Sequence, residues 1–184
     1  MSEETFIRHC SPTMAGMKTA NLFTSRFADE MEMRGNIRSL NKILVKRGIR
    51  VLPLRYRCGF GLIYVYRPSK LIQDLKNTDA QKLLKKRGYV YSETSERYIV
   101  QLMLRLVTDD VFPHEIGLFL GYPPEDVCGF IENKADGYKI VGEWKVYGDA
   151  EKAKRTFAKH KKCTEVYCRH YAHGKSIERL TVVV

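Results

Sequence analysis

The sequence has no long hydrophobic run and no segment of low complexity. Its longest apolar stretch, Leu62 to Tyr66, has the length of a β-strand, far below the roughly 18–20 residues that a membrane-spanning helix needs. The opening residues, MSEETFIRHC, contain no apolar core of the kind that a secretory signal peptide carries. We therefore expect a cytoplasmic location and no membrane partner.

Several nucleotide-binding and catalytic motifs are also missing. The chain contains no GxxxxGK[ST] phosphate loop, no GxGxxG linked to a strand, no GxSxG and no HExxH. The sequence therefore points to no particular cofactor and leaves open whether the protein is an enzyme. Asp109 and Asp110, and Glu115 beside His114, are interpreted as capping and first-turn charges, not as an acid/base pair.

Paired cysteines are absent too. The five cysteines are spread through the chain, their number is odd, and no CxxC occurs. This pattern is typical of reduced cytosolic thiols and not of a disulfide framework. Near the C-terminus, Cys163 and Cys168 precede two histidines. On one helix these two thiols would point about 140° apart, so we expect no metal site.

Acidic residues are few relative to basic ones. The 32 lysines and arginines exceed the 21 acids and give a formal net charge of +11. Many of the basic residues fall in three stretches, 34–57, 82–87 and 152–162. Such a charge attracts polyanions, including nucleic acid, nucleotides and acidic proteins. The alternative is that these residues form solvated helix faces that serve solubility.

The hydrophobic patterning predicts an α+β fold in a single domain, residues 1–184. Residues 49–67 alternate around a Gly59-Phe60-Gly61 turn and predict a β-hairpin, and residues 138–147 predict a further strand. Helical spacing dominates the rest, including a long helix from Asp149 to about His173. We therefore expect a small, largely antiparallel sheet packed with a majority of helices, and a last short strand at 181–184.

The segment 113–131, PHEIGLFLGYPPEDVCGFI, has the spacing of a helix-turn-helix motif. A DNA-reading second helix offers basic or amide side chains to bases and phosphates. Here the side chains predicted to face solvent are Glu125, Asp126 and Glu132, which phosphates repel. We interpret the segment as a packing corner with a glycine–proline turn and as one wall of a pocket.

A second segment, 58–65, resembles the RNA-recognition-motif signature, in which exposed aromatic residues stack on bases. Cys58 stands where that signature has a basic residue, and Leu62 and Val65 occupy two stacking positions. The glycines also fall in the predicted hairpin turn and not in a central strand. Nucleic acid is therefore a possible but not a favoured partner, although single-strand binding through other basic and tyrosine-rich surfaces stays open.

The segment His9-Cys10-Ser11-Pro12-Thr13 contains the best candidate nucleophile. If Ser11 caps a helix and Pro12 opens it, Cys10 lies just before a helix N-terminus, where the dipole favours a thiolate. The neighbouring His9 would assist it. The alternative is a buried thiol that fills space in a core.

Several blocks together resemble an uncharacterised bacterial domain-of-unknown-function family found mainly in anaerobic, clostridia-like bacteria. The blocks are HCSPT at 9–13, LIYVYRP at 62–68, HEIGLFLGYPPEDVCGFI at 114–131, GEWKVYGD at 142–149 and KCTEVYC at 162–168. The resemblance implies a cytosolic single-domain protein and brings no established activity. It places a site around His9, Cys10, Thr13 and the segment 114–126.

These observations favour a cytosolic binding or accessory protein with a pocket for a small anionic ligand or cofactor. The pocket would lie near Cys10 and the 113–131 corner. Its candidate ligand-binding residues are Thr13, His114, Glu115 and Tyr122. The alternatives are a thiol-dependent enzyme that uses Cys10 and His9 and a basic nucleic-acid-binding protein.

Overall fold

A computed structural model describes residues 1–108 and 111–183 and confirms the α+β class. The chain divides into two compact units, one formed by Met1–Pro68 with His160–Val184 (unit 1) and the other by Ser69–Lys159 (unit 2). Asp109 and Asp110, predicted to be capping charges, and Val184, the end of the predicted last strand, lie outside the described residues. Thr181 to Val183 belong to no strand.

Unit 1 contains a three-stranded antiparallel sheet in the order β1-β3-β2. Its elements are α1 (Glu3–Met14), β1 (Ala20–Arg26), α2 (Glu30–Leu44), a 3-10 turn (Val45–Arg47), β2 (Arg50–Arg57), β3 (Phe60–Tyr66), the second part of α8 (Ala150–Ala172) and α9 (Ile177–Leu180). The predicted hairpin is confirmed as β2 and β3, with a bulge between Pro53 and Arg55. The sequence analysis predicted no strand at the position of the third strand, β1.

One face of this sheet packs against α1 and α2. Strand side chains alternate between faces, and the core face carries Phe23, Ile63 and Val65 among others. The core comprises Phe6, Ile7, Cys10, Met14, Phe23, Phe27, Met33, Ile37, Leu44, Ile49, Val51, Ile63, Val65, Ile177 and Leu180. Helix α1 contributes Phe6, Ile7, Cys10 and Met14 to this core, and these residues recur at helical spacing along the helix.

The prediction that Pro12 opens a helix is therefore wrong. Ser2 caps α1 by accepting a hydrogen bond from the Thr5 backbone N–H (3.2 Å), and Pro12 lies inside the helix. An internal proline costs the helix one backbone hydrogen bond. Burial of Phe6 and Ile7 on the core side offsets that loss.

Arg67 connects three segments of unit 1 from a fully buried position. Its Nε donates to the Thr13 carbonyl (2.7 Å), and its Nη2 donates to the carbonyls of Met14 (2.8 Å) and Val182 (2.7 Å). Its Nη1 donates to the Arg47 carbonyl (3.2 Å). The guanidinium thus fastens the end of α1, the 3-10 turn and the C-terminal segment to the end of β3.

Unit 2 is mainly helical and holds the 113–131 corner. Its elements are α3 (Pro68–Leu75), α4 (Thr78–Lys86), α5 (Ser95–Thr108), α6 (Ile116–Phe119), α7 (Pro124–Glu132), β4 (Ile140–Val141), β5 (Lys145–Val146) and the first part of α8. The strand predicted over 138–147 is instead a short hairpin that turns at residues 142–144. Helix α7 packs against α4, α6 and β5.

Candidate ligand-binding cavity

The 113–131 corner is two short helices, α6 and α7, joined by a turn at Gly121. Gly121 has a φ of 76°, in the left-handed region that favours glycine. Pro124 occupies the first turn of α7, where its missing N–H costs nothing. A Cβ at Gly117 would lie 2.8 Å from a Val127 methyl, so the close approach of the helices requires glycine there. The predicted packing corner is thus present.

The prediction that Asp126 faces solvent is wrong. Asp126 is buried beneath this corner, with only 3 % of it exposed. Its Oδ1 accepts hydrogen bonds from the backbone N–H groups of Tyr147 (2.7 Å) and Gly148 (2.8 Å). Its Oδ2 accepts one from the Trp144 indole (2.7 Å). Three donors compensate the buried carboxylate. The same bonds fix the position of Trp144 against α7.

Aromatic rings line the space between the corner and the β4–β5 hairpin. Tyr122 stacks on Trp144 with ring centroids 4.6 Å apart, and Trp144 meets Phe157 edge-on at the same distance. His114 lies edge-on to Phe130 at 5.1 Å. These arrangements are the offset and T-shaped geometries that aromatic pairs prefer, so the rings support one another in fixed positions.

The space is an open cavity of about 320 Å³. That volume is at the small end of the range of about 300–1,000 Å³ typical of ligand sites. The lining comprises His114, Ile116, Gly117, Leu120, Tyr122, Asp126, Val127, Phe130, Val141, Gly142, Glu143, Trp144 and Lys145. Every lining residue belongs to unit 2, so the cavity is complete within one unit.

Lys145 supplies the cavity with a positive charge. Its ammonium donates to the Ala135 carbonyl (2.8 Å) and lies 4.6 Å from the centre of the Tyr138 ring and 6.0 Å from that of Phe130. Within residues 1–108 and 111–183, Lys145 makes no ion pair. Its charge is therefore stabilised by a carbonyl dipole and by ring faces and not by an acid.

Two of the three unit 2 residues predicted to bind a ligand line this cavity. They are His114 and Tyr122. The Tyr122 hydroxyl donates to the Glu143 carbonyl (3.3 Å), and burial, followed by the Glu143 charge, raises the pKa of Tyr122 to about 12. Tyr122 is therefore a neutral hydrogen-bonding group at physiological pH.

Glu115, the third of them, does not line the cavity. It is 3 % exposed and accepts a hydrogen bond from the Tyr89 hydroxyl (3.2 Å). Its other oxygen lies 3.8 Å from Nε of Arg87. The carboxylate thus connects the segment after α4 to the start of α6, and these contacts give Glu115 a structural role.

The predicted site residues of unit 1, which are His9, Cys10 and Thr13, are not among the residues that line this cavity. Cys10 is fully buried in the interior of α1, and burial raises the pKa of its thiol well above the ordinary value, an effect that Lys18 opposes. His9 stacks on Phe23 (4.6 Å), and burial, with a smaller effect of Arg8, lowers its pKa. The helix N-terminus predicted to activate Cys10 is thus absent from this position, and its catalytic role stays a prediction.

Thr13 is likewise buried and makes hydrogen bonds within unit 1. Its hydroxyl donates to Oδ1 of Asn21 (2.6 Å), and its carbonyl accepts the bond from Arg67. These contacts hold the end of α1 on the sheet. Its predicted contact with a ligand stays a prediction.

The sequence analysis missed Phe130, Trp144 and Lys145 as site residues. Trp144 is the single tryptophan of the chain, and the GEWKVYGD block that contains it was interpreted only as a strand and as a family resemblance. A lone tryptophan next to a lysine, in a block that also holds two glycines, is a usable signal, because tryptophan is enriched at binding surfaces.

The described residues hold no group of three His, Cys, Asp or Glu side chains arranged to bind a metal ion. In the same part of the chain, none of the helices has both the length and the apolar character required to cross a membrane.

Comparison with known proteins gives one match. A family model described as protein of unknown function (DUF3793) matches residues 6–181, nearly the whole chain. This match confirms the resemblance to an uncharacterised family that the sequence blocks indicated. No curated protein and no solved structure matches the chain.

Proposed function

We propose that this chain, which belongs to the DUF3793 family, binds a small planar anionic molecule in the aromatic cavity of unit 2. The observation that carries the proposal is a lysine without an acidic partner beside a set of fixed aromatic rings. The proposal retains the small anionic ligand and the 113–131 corner of the sequence-based prediction. A contribution from Cys10 is not part of the proposal.

The aromatic lining favours a flat ligand. Phe130, His114 and Trp144 present ring faces or edges to the cavity, and each ring is held by a neighbouring ring or a hydrogen bond. Rigid walls of this kind reduce the conformational entropy lost on binding. A planar ring gains both apolar burial and stacking there.

The charges of the lining favour an acidic group on that ring. Asp126 is occupied by its three donors, and Glu143 lies on the exposed turn of the hairpin. Lys145 therefore remains as the cation with which a carboxylate or sulfonate would pair. A hydrogen bond to a charged group contributes about 1.5–3 kcal/mol, which is enough to discriminate between ligands of different charge.

The test is isothermal calorimetry with three ligands that share one ring system. Naphthoate is anionic, naphthol is neutral and naphthylmethylamine is cationic. We expect naphthoate to bind at least about tenfold more tightly than naphthol and the amine to bind weakest. Equal affinities for the three, or no heat with any of them, would contradict the proposal.

Lys145→Met is the variant that tests the cation, with Lys139→Met as its matched control. Lys139 lies on the same segment and also donates its ammonium to a backbone carbonyl, that of Gly148 (2.7 Å), yet it does not line the cavity. We expect Lys145→Met to remove the preference for naphthoate and Lys139→Met to retain it. Loss of the preference in both variants would assign it to general charge and contradict the role of Lys145.

A further inference from the structure

The sheet of unit 1 has one end of its outer face exposed. Phe60 opens β3, the central strand, directly after a tight turn in which Cys58 (φ 52°) and Gly59 (φ 79°) both adopt positive φ. The prediction that these glycines belong only to a turn is therefore half right, because Phe60 and Gly61 lie in the central strand. Phe60 is 52 % exposed, which is unusual for a phenylalanine in a central strand.

The register places arginines on both sides of this phenylalanine. Arg26 of β1 and Arg57 of β2 are each directly opposite Phe60, and cross-strand partners lie on the same face with Cβ atoms about 5 Å apart. The next row on this face consists of Thr24, Leu62 and Arg55. We call these six residues the Phe60 face.

The Phe60 face is basic and free of acids. Arg26, Arg55 and Arg57 are all exposed, and none makes an ion pair with any residue that the structure describes. The opposite face of the sheet is the one that packs on the core. Three arginines around an exposed ring therefore project into solvent together.

We propose that the Phe60 face binds single-stranded nucleic acid. Proteins that bind single strands combine a positive surface that follows the phosphates with aromatic side chains on which unpaired bases stack. The face supplies both elements in one row, an aromatic ring between two guanidinium groups. Paired bases in a duplex present no free ring face to Phe60, and an acidic protein offers the charge without the regular alternation of phosphates and unpaired bases.

The test uses fluorescence anisotropy with the full chain and a labelled oligouridylate of about a dozen nucleotides. We expect salt-dependent binding that is tighter for the single strand than for the corresponding duplex. Phe60→Ala should weaken the binding by about 5- to 150-fold with little change in salt dependence. Phe60→Tyr, which keeps a ring, should restore most of the affinity. Because Phe60 is exposed, both variants should fold.

Arg57→Ala and Arg38→Ala test whether nucleic acid binds at the Phe60 face or through the general positive charge of the protein. Arg38 is exposed on α2, a helix whose buried residues belong to the core cluster under the opposite face of the sheet. We expect Arg57→Ala to lower the slope of log affinity against log salt by about 0.7 and Arg38→Ala to leave it unchanged. Equal effects of the two substitutions, full affinity in Phe60→Ala, or equal competition by polyglutamate would overturn the proposal.

Discussion

Arg67 shows how a single residue stabilises unit 1. An arginine is almost never fully buried without a partner, because a charge is costly to remove from water. Here four backbone carbonyls accept its hydrogen bonds, and burial lowers its pKa. Two of these carbonyls, those of Thr13 and Met14, also accept hydrogen bonds from the backbone N–H groups of Gly16 (3.1 Å) and Val182 (3.0 Å). The guanidinium thus adds side-chain hydrogen bonds that join the end of α1, the 3-10 turn and the C-terminal segment.

We expect Arg67→Met to lower the free energy of unfolding by about 3 kcal/mol or more, since it removes the four hydrogen bonds of a charged, buried guanidinium. Arg38→Met, on the exposed side of α2, should change it by no more than about 0.5 kcal/mol. Urea denaturation followed by circular dichroism measures both. A small loss for Arg67→Met, equal to that of the control, would show that water replaces the guanidinium.

Cys10 illustrates the difference between a residue type and its environment. A thiol is reactive as the thiolate, and full burial in the core of unit 1 favours the protonated form. Cys58, in contrast, lies exposed in the hairpin turn. The structure therefore gives Cys10 the environment of a space-filling residue.

We expect iodoacetamide to label Cys58 first in the folded protein and to label Cys10 slower by an order of magnitude or more. In guanidinium, where burial is lost, the two should react at similar rates. Peptide mass spectrometry after limited labelling measures the order. Preferential labelling of Cys10 near neutral pH would support the thiol-dependent enzyme that the sequence suggested.

At the scale of elements, helix α7 depends on two contacts with the segment after β5. Asp126 holds the backbone there, and Gly129, one turn later on the helix, leaves room for Tyr147. A Cβ at Gly129 would lie 2.4 Å from Cγ of that ring. The helix can approach the hairpin, and so form one wall of the cavity with it, because this position has no side chain.

We expect Gly129→Ala to destabilise the protein by about 1–3 kcal/mol despite the better helix propensity of alanine. Gly35→Ala is the matched control, because Gly35 also lies inside a helix but a Cβ there meets nothing within 4 Å. That substitution should stabilise the protein by about 0.5–1 kcal/mol. Thermal or urea unfolding measures both, and a shift of the same sign in the two variants would contradict the packing described for α7.

The elements that sequence patterns predicted best are those specified by local signals. The β2–β3 hairpin follows from alternation around a glycine turn, and α8 from an Asp149 cap and helical spacing. Strand β1 was missed because the sequence of this segment alone does not predict a strand. The segment becomes a strand through its pairing with β3, which is about 40 residues away in sequence. The 138–147 strand was predicted too long because the chain turns at residues 142–144. Gly142 in that turn lies so close to the Phe157 ring of α8 that a Cβ would not fit.

Only the part of the candidate cavity that local sequence signals specify could be predicted. The corner itself has local turn signals, and it brought His114 and Tyr122 into the prediction. The exposure of Asp126 was predicted wrongly because its position on the helix alone suggested that it faces solvent. Its hydrogen-bond partners lie some 20 residues away in sequence. Trp144 and Lys145 join the cavity through this same long-range contact, which no local pattern encodes.

At the scale of the whole molecule, the positive charge is unevenly neutralised. In the basic stretches of α4 and α8, several lysines pair with nearby acids, as Lys82 does with Asp79 and Lys154 with Glu151. The exposed arginines of the Phe60 face have no such partners among the described residues. A net charge of +11 therefore says less about binding than the position of the unpaired charges does.

The division into two units separates the two proposals. The aromatic cavity belongs to unit 2 and the Phe60 face to unit 1. The prediction of a single domain over 1–184 stays a prediction, although the family match runs through both units. Variants in one unit should therefore leave binding at the other unit unchanged.

The most direct test of the central claim uses the single tryptophan. Trp144 forms a wall of the cavity, so its fluorescence reports the cavity without a label. We expect nitrobenzoate to quench this emission saturably, with the saturable part lost in Lys145→Met and retained in Lys139→Met. Quenching that rises linearly with concentration, and equally in all three proteins, would show only random collisions and would contradict a ligand site in this cavity.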